Sequence, residues 1–424
     1  MQIPKIFQPH LAKSSTATVA LFAAIVAFCT YSCMYAFRKP FTAATFDGEM
    51  YAGISIKIWF VISQLVGYTL SKFWGIRFVS EIKLHHRGIA IILLILSSAI
   101  GLLLFPIVPK PFNILCFFLN GIPLGMVWGL VFSYIEGRRA TEFMGSILAV
   151  SFIFSSGFVK SVGKWLMNDF SVSEYWMPLA TAMIFVVPMI VFVFLLEQVP
   201  APTDEDIRLR APRLPMTKVE RKDFISHFFF GIVFLICTYV LLSVISDFRD
   251  NFAADIWKEL GFNDASVFTE TEIPISIAVL FLMSFLMLIK NNFRALQINH
   301  LMVIFGLLLT GISTYAYEMR IISPFYWMVL NGLGLYLGYI PFNVVFFERL
   351  VASSGKASNV GFLMYLADSF GYLGAIGVLL FKNFGESEMI YSAFFINAIY
   401  IVSVAGIVFT TISFLYFNQK LKPR

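Results

Sequence analysis

The sequence is poor in charge and in the residues that build soluble catalytic centres. Asp, Glu, Lys and Arg make up 13% of its 424 residues, against 59% hydrophobic residues. That leaves too few polar side chains to coat a water-facing globule of this size. Cysteine is scarce. Cys29, Cys33, Cys116 and Cys237 each stand inside an apolar run, so they read as small packing residues and exclude a disulfide framework. The five histidines keep no metal-ligand spacing. No nucleotide-binding glycine loop, no serine–histidine–aspartate spacing and no paired-cysteine zinc motif occurs. The expectation is therefore a chain with no cofactor and no metal, not an enzyme, drawing no energy from ATP of its own.

What is abundant is apolar length. A membrane-crossing helix needs roughly 20 mostly apolar residues. About twelve such stretches are readable, near 15–40, 52–76, 88–107, 112–136, 142–167, 175–198, 223–252, 270–290, 296–317, 323–347, 358–382 and 389–418. The first is too long for a cleaved signal peptide and lacks the small-residue cleavage site. If the amino terminus is cytoplasmic, Lys and Arg crowd the inner segments, with Lys83, Arg87, Arg138, Arg139 and the 199–222 stretch among them. The outer loops hold few, including Lys57 and Lys110. That bias predicts both termini inside a cell (inner) membrane. The net charge of +6 then serves anchoring to the bilayer, and no nucleic acid is needed to explain it. Nothing in the sequence asks for more than a monomer.

The long polar stretch at mid-chain, "PAPTDEDIRLRAPRLPMTKVERKD", reads as a cytoplasmic linker, 199–222. It separates a six-helix half, 1–198, from a second, 223–424. The halves repeat. "FRKPFTAA" (37–44) matches "FRDNFAAD" (248–255), and "NGIPL" (120–124) matches "NGLGL" (331–335), both at one offset of 211 residues. Glu136 and Glu348 align nearly as well. These matches fall on the first and fourth helix of each half. The expected fold is an all-α membrane protein of twelve transmembrane helices in two pseudo-symmetric six-helix bundles, the major facilitator fold.

The repeat makes partners of Arg38 and Arg249. Two guanidinium forks facing one cavity would hold a phosphate or carboxylate; the competing reading has both reaching outward to lipid headgroups. Lys39, matched by Asp250, is expected to reach outward. At these residues the sequence resembles the organophosphate:phosphate antiporters of the major facilitator superfamily, which include glycerol-3-phosphate and hexose-phosphate transporters. The resemblance lies in "YSCMYAFRKPF", in "GYTLSKFWG" (67–75) and in Arg249. It implies that Arg38 and Arg249 grip the phosphate, that Lys72 adds charge, and that Tyr31, Tyr35 and Tyr68 donate hydroxyls. The sequence departs from that family near Ser155, where the family offers a histidine, and at "SEIK" (80–83), where the family reads Ser-Asp-Arg.

Ionisable residues inside a bilayer are functional suspects. Glu136 and Glu348 precede basic residues at helix ends and read first as local salt bridges. Asp368 stands mid-helix. It either pairs with Lys72 or meets a substrate ammonium or a coupling proton. Lys160 and Lys164 share a helix face and could close the outer side by meeting Glu270 or Glu272, or could be plain outer-surface charge. Trp128, Tyr336, Tyr339, Tyr365 and Tyr372 are candidate pocket aromatics, with packing as the first reading for most of them. The function expected is alternating-access transport of a small phosphorylated or phosphonate-type organic anion, with phosphate or a proton as the coupling ion. The alternatives are a proton-coupled carrier of carboxylates or peptidoglycan fragments, and a non-transporting sensor of a phosphate ester.

Overall fold

The computed structural model describes residues 4–82, 86–138, 140–203, 206, 218–354, 360–384 and 389–422. Lys83 of the SEIK stretch, Arg139, most of the expected linker and the Tyr365 side chain lie outside what is described. Twelve long helices carry the described chain. They are α1 (Thr16–Tyr35), α2 (Ile56–Glu81), α3 (Arg87–Leu104), α4 (Ile114–Ile135), α5 (Thr141–Phe170), α6 (Met177–Glu197), α7 (Lys218–Asn251), α8 (Val267–Met287), α9 (Asn292–Glu318), α10 (Pro324–Pro341), α11 (Val360–Phe384) and α12 (Tyr391–Lys420). Ten are long and apolar enough to cross a membrane by composition. The other two, α2 and α11, include side chains outside what is described; they carry Lys57 and Lys72, and Asp368 and Lys382. The protein is a multi-pass helical membrane protein. Helix is forced here because hydrocarbon offers the backbone no hydrogen-bond partner.

The ends of the helices depart from expectation in ways that place functional residues. Helix α1 is capped by Ser15, whose hydroxyl accepts from the Thr18 amide. It stops at Tyr35, short of the expected 40. Pro40 cannot donate to the helix ladder and disfavours helical geometry before it. Residues 36–39 therefore form a turn, and a 3-10 turn, Pro40–Ala43, follows. Arg38 lies in that turn rather than within a helix. Beyond it a small hairpin pairs β1 (Met50–Tyr51) with β2 (Ile54–Ser55). Its two-residue turn holds Ala52 and Gly53 at φ 50° and 77°, the paired positive angles that such hairpins require. An all-helical reading misses it because two-residue strands are too short to show alternation.

Helix α10 ends at Pro341 and passes through a π-helical turn, Phe342–Phe346, into a further helix, Phe347–Ser354. Proline removes one ladder bond and invites such a bulge. Glu348 therefore stands past the bulge, in the short helix that follows it.

By internal contacts the chain divides into Met1–Arg210 with Asn251–Glu270, and Ala211–Asp250 with Thr271–Arg424. The stretch after α7 thus packs with the first half of the sequence. The two groups are called the first and second unit below.

Candidate functional site

In the first unit, the turn carrying Arg38 is held by side-chain amides. Gln64 Nε2 donates to the Arg38 carbonyl at 2.9 Å and to Asn120 Oδ1 at 2.7 Å. Asn120 Nδ2 reaches the Phe37 carbonyl at 2.9 Å and Ser98 Oγ at 2.6 Å. Helices α2, α3 and α4 thereby fix the turn by hydrogen bonds in a buried place, where an unmade bond is costly. Gln64, Tyr68 and Lys72 follow at four-residue spacing on α2 and share a face. The Arg38 guanidinium stands 4.1 Å over the Tyr68 ring and 5.8 Å from the Tyr35 ring, and the Lys72 ammonium lies 5.4 Å from the same Tyr68 ring. Tyr31, one turn before Tyr35, packs its ring 5.1 Å from Trp128 and 5.5 Å from Phe152. The structure therefore gathers Tyr31, Tyr35, Arg38, Tyr68 and Lys72 into one cation-bearing aromatic cluster. Trp128 joins it. Ser155, where the resembled family would place a histidine, is buried and donates to Ser32 Oγ at 2.7 Å.

Two lysines of this unit correct the sequence reading. Lys39 does not reach outward: it is 4% exposed, and its ammonium donates to Asn251 Oδ1 at 2.7 Å. Lys57, read as an outer-loop cation, is the second residue of α2 and fully buried. It bonds Asp255 Oδ2 at 2.5 Å and the Thr42 carbonyl at 3.1 Å. Asn251 is the last residue of α7, and Asp255 belongs to the stretch that follows it. Burial pushes the Asp255 carboxyl up, against the downward pull of Lys57. Nearer the surface Lys258 bonds Asp47.

In the second unit, Arg249 is 3% exposed. Its Nη1 pairs with Glu272 Oε1 at 2.7 Å, its Nη2 donates to the Met328 carbonyl at 3.1 Å, and its guanidinium lies 5.9 Å from the Tyr336 ring. Glu272 is thus a partner of Arg249, which the sequence reading does not give it. Beside Met328, the buried Asn331 donates to Thr314 Oγ1 on α9 at 2.8 Å. The repeat now has a structural form. In each unit the asparagine of the fourth helix bonds a hydroxyl of the third, Ser98 or Thr314, next to the arginine of the first. Asp368 accepts from the Tyr239 hydroxyl, which also stands 3.5 Å from that of Tyr339.

The remaining candidates are placed as follows. Lys160 is buried and Lys164 half-buried on α5, while Glu270 is exposed. No ion pair of Lys164 or Glu270 occurs among the described residues. Near them Thr269 bonds Ser161 Oγ through both its amide, 3.1 Å, and its hydroxyl, 2.7 Å. Glu136 follows the end of α4, its amide bonded to the Phe132 carbonyl. The neighbouring Arg138 donates to the Tyr134 and Pro200 carbonyls. Next to Glu348, Arg349 donates to Asn292 Oδ1 at 2.7 Å. No group of His, Cys, Asp and Glu fit to hold a metal occurs among the described residues.

Residues 40–420 match the family model DUF5690, described as a family of unknown function. No curated protein matches the sequence. Among solved structures, the chain is similar to a D-xylose–proton symporter, with a TM-score of 0.60 and 15% identity, covering 99% of this chain and 98% of that one. It is similar also to the proton:xylose symporter XylE bound to 6-bromo-6-deoxy-D-glucose, at 0.60 and 14%, covering 96% and 97%. A third likeness is to a point mutant of the nucleoside transporter NupG, at 0.58 and 14%, covering 94% and 100%. At such identities the likeness establishes the major facilitator fold, and the fold alone.

Proposed function

The chain belongs to the DUF5690 family, and from that premise and its major facilitator fold we propose that it is a secondary transporter of a small phosphorylated or phosphonate-type organic anion. It works by alternating access, with phosphate exchange as one form of coupling, as a single chain in the cell (inner) membrane with both termini cytoplasmic. The observation that carries this reading is the sharing of the Tyr68 ring by two cations, Arg38 at 4.1 Å and Lys72 at 5.4 Å. Two cations and three phenol hydroxyls gathered about one ring make a donor-rich setting that suits a multiply charged oxyanion. Arg38 offers a planar fork that matches phosphate oxygens, and the hydroxyls of Tyr31, Tyr35 and Tyr68 add neutral donors. Arg249 is proposed as the second arginine of the site, on the strength of the repeat.

A different cargo has one observation in its favour. Arg249 is already paired with Glu272, which lowers the positive charge that the second unit can give an anion. A proton-coupled carrier of carboxylates or peptidoglycan fragments needs less of it. Proteoliposomes loaded with phosphate and diluted into labelled phosphate separate the two. Phosphate counterflow in the wild type, lost in Arg38→Lys, supports the proposal. The absence of counterflow with phosphate and with simple phosphonates overturns it.

A further inference from the structure

Helix α7 carries a line of polar groups. Tyr239, Ser243, Ser246 and Arg249 follow at spacings of four, three and three residues, which places them on one side of the helix. Each end of the line is bonded to a carboxylate of another helix in the same unit: Arg249 to Glu272 of α8 at 2.7 Å, and Tyr239 to Asp368 of α11. From Arg249 to Tyr239 the line covers ten residues, about 15 Å at the helical rise.

The inner end has two states built in. A tyrosine hydroxyl has one proton to donate. That of Tyr239 has two acceptors in reach, Asp368 Oδ1 and the Tyr339 hydroxyl at 3.5 Å. It serves one at a time. When Asp368 is ionised, Tyr239 donates to it. When Asp368 carries a proton, the acid donates to the Tyr239 oxygen, and the Tyr239 hydroxyl turns to Tyr339. The bond between α7 and α11 reverses direction but persists, and the donation from Tyr239 to Tyr339 of α10 follows the protonation of Asp368.

The outer end has acceptors and donors to spare. Ser276 lies one turn on from Glu272 along α8, and Ser246 one turn back from Arg249 along α7. Consecutive spans run antiparallel, so both hydroxyls lie one turn deeper than the Arg249–Glu272 pair, on the sides where the two helices meet. Both are buried, and neither hydroxyl has a hydrogen-bond partner among the described residues. Buried hydroxyls are normally satisfied. A pair of them below an ion pair is suited to hold water. Ser243 continues the line toward α11: a Cβ built on Gly371, one turn from Asp368, would stand 3.1 Å from Ser243 Oγ. Each step is about one helical turn, a gap that one water spans.

We infer that Asp368 is a proton-binding site, loaded from the Arg249 end through Ser276, Ser246, Ser243 and Tyr239, and that it couples the cargo to a proton. The coupling half of this inference rests on the transport reading above; the site itself does not. One hydronium ion gives up one proton and becomes water. The proton passes by exchange along hydroxyls and intervening waters, and the Asp368 carboxylate becomes the neutral acid. Release on the other side reverses the step. Within the second unit, Asp368 meets Tyr239 of α7, whose ring and hydroxyl adjoin Tyr339 of α10, and Tyr372 lies one turn away on α11 itself. The outer end of the line is set by Arg249, Glu272, Asp250 and Tyr336.

The test is infrared difference spectroscopy on the full chain in neutral lipid vesicles, titrated from about pH 4 to about pH 9, the range in which perturbed carboxylates titrate. No cargo is added. The wild type should show the carbonyl band of a protonated acid that Asp368→Asn abolishes and Asp368→Glu retains. Tyr239→Phe should shift the frequency of that band, because the acid loses the oxygen it donates to; an unshifted band overturns the Tyr239 step. The double variant Ser246→Ala/Ser276→Ala should leave the band in place and slow its deuterium exchange about tenfold or more. A wild-type spectrum with no such band, or a band indifferent to Asp368→Asn, overturns the site. Exchange at the wild-type rate in the double serine variant overturns the route. If the band behaves as described while phosphate counterflow fails, the proton site stands and the choice of cargo falls.

Discussion

Lys57 and Asp255, 198 residues apart in the chain, form a 2.5 Å ion pair with the lysine fully buried and the aspartate 8% exposed. The pair ties the start of α2 to the stretch that follows α7. Two charges taken from water tolerate each other only together, since each alone would remain desolvated and uncompensated. Lys57→Met should therefore lower stability by about 3–5 kcal/mol, as breaking a buried pair does. Lys57→Met combined with Asp255→Leu should recover most of the loss. Denaturant unfolding in detergent checks this; a double variant as unstable as the single would show that the charge pair is not what the single variant lost.

The two motif asparagines should differ in cost. Asn120 bonds Gln64, Phe37 and Ser98, whereas Asn331 donates to Thr314 and its Oδ1 has no partner among the described residues. Asn120→Leu strands several buried groups, each costing about 1–3 kcal/mol. Asn331→Leu strands no partner, because the Thr314 hydroxyl still accepts from Trp327 Nε1 and donates to the Thr310 carbonyl. The first variant should be the less stable by a few kcal/mol in the same assay, and equal losses would contradict the bonding described.

Glycine substitutions give a graded series. A Cβ on Gly121 would lie 2.3 Å from the Gln64 carbonyl oxygen, so alanine must push α4 from α2. At Gly332 it would meet Arg249 Nη2 at 2.7 Å and Ile275 at 2.5 Å, both ends of side chains that can shift. At Gly377 nothing lies within 4 Å. Gly121→Ala should destabilise most and Gly332→Ala less, while Gly377→Ala should stabilise slightly, by about 0.5–1 kcal/mol, through helix propensity. Thermal unfolding of the three variants reads the order directly.

Outside the membrane, Glu49 accepts from Lys110 at 2.7 Å and from the Tyr175 hydroxyl. Burial and the bond to Glu49 push the Tyr175 phenol up to about 12. Burial alone would lower Lys110, but its bonds to Glu49 and Tyr175 raise it. Groups held above their ordinary values contribute stability that is complete below those values and is lost as pH rises through the raised ones. This outer cluster should therefore loosen between about pH 10 and about pH 12. The loss should stay near or below about 1 kcal/mol, because the groups are partly solvated. Amide exchange of residues 45–55 should accelerate in that window in the wild type, and the alkaline step should shrink in Tyr175→Phe.

Much of the fold is legible in the sequence because each apolar run must satisfy its own backbone in hydrocarbon, which leaves helix as its form. The repeat is legible for a similar reason: Asn120, Asn331 and Arg249 are buried, and Arg38 is half-buried, in places where few residues fit. The pairings are not legible. Lys39 and Lys57 stand near helix ends, where a lysine ordinarily reaches water, and only packing shows Asn251 and Asp255 beside them. Arg249 and Glu272 lie 23 residues apart on two helices, so their meeting depends on helix rotation. A mid-chain aspartate, Asp255, followed by an apolar residue and Trp257, is the one available hint that a buried cation waits for it. Asn120 and Asn331 are visible only as part of a glycine motif, because hydrogen bonds across three helices leave no local pattern.

Equilibrium binding of inorganic phosphate and a simple alkylphosphonate to the wild type, Arg38→Lys and Lys39→Ala tests the anion site most directly. A lysine keeps the charge of Arg38 but not its planar fork, so Arg38→Lys should weaken binding about tenfold or more, the worth of one charge-assisted bond. Lys39→Ala should bind within a few-fold of the wild type once its loss of stability is accounted for, because Lys39 is engaged with Asn251. Arg38→Lys binding phosphate as the wild type does, or a wild type that binds neither anion, would contradict the account.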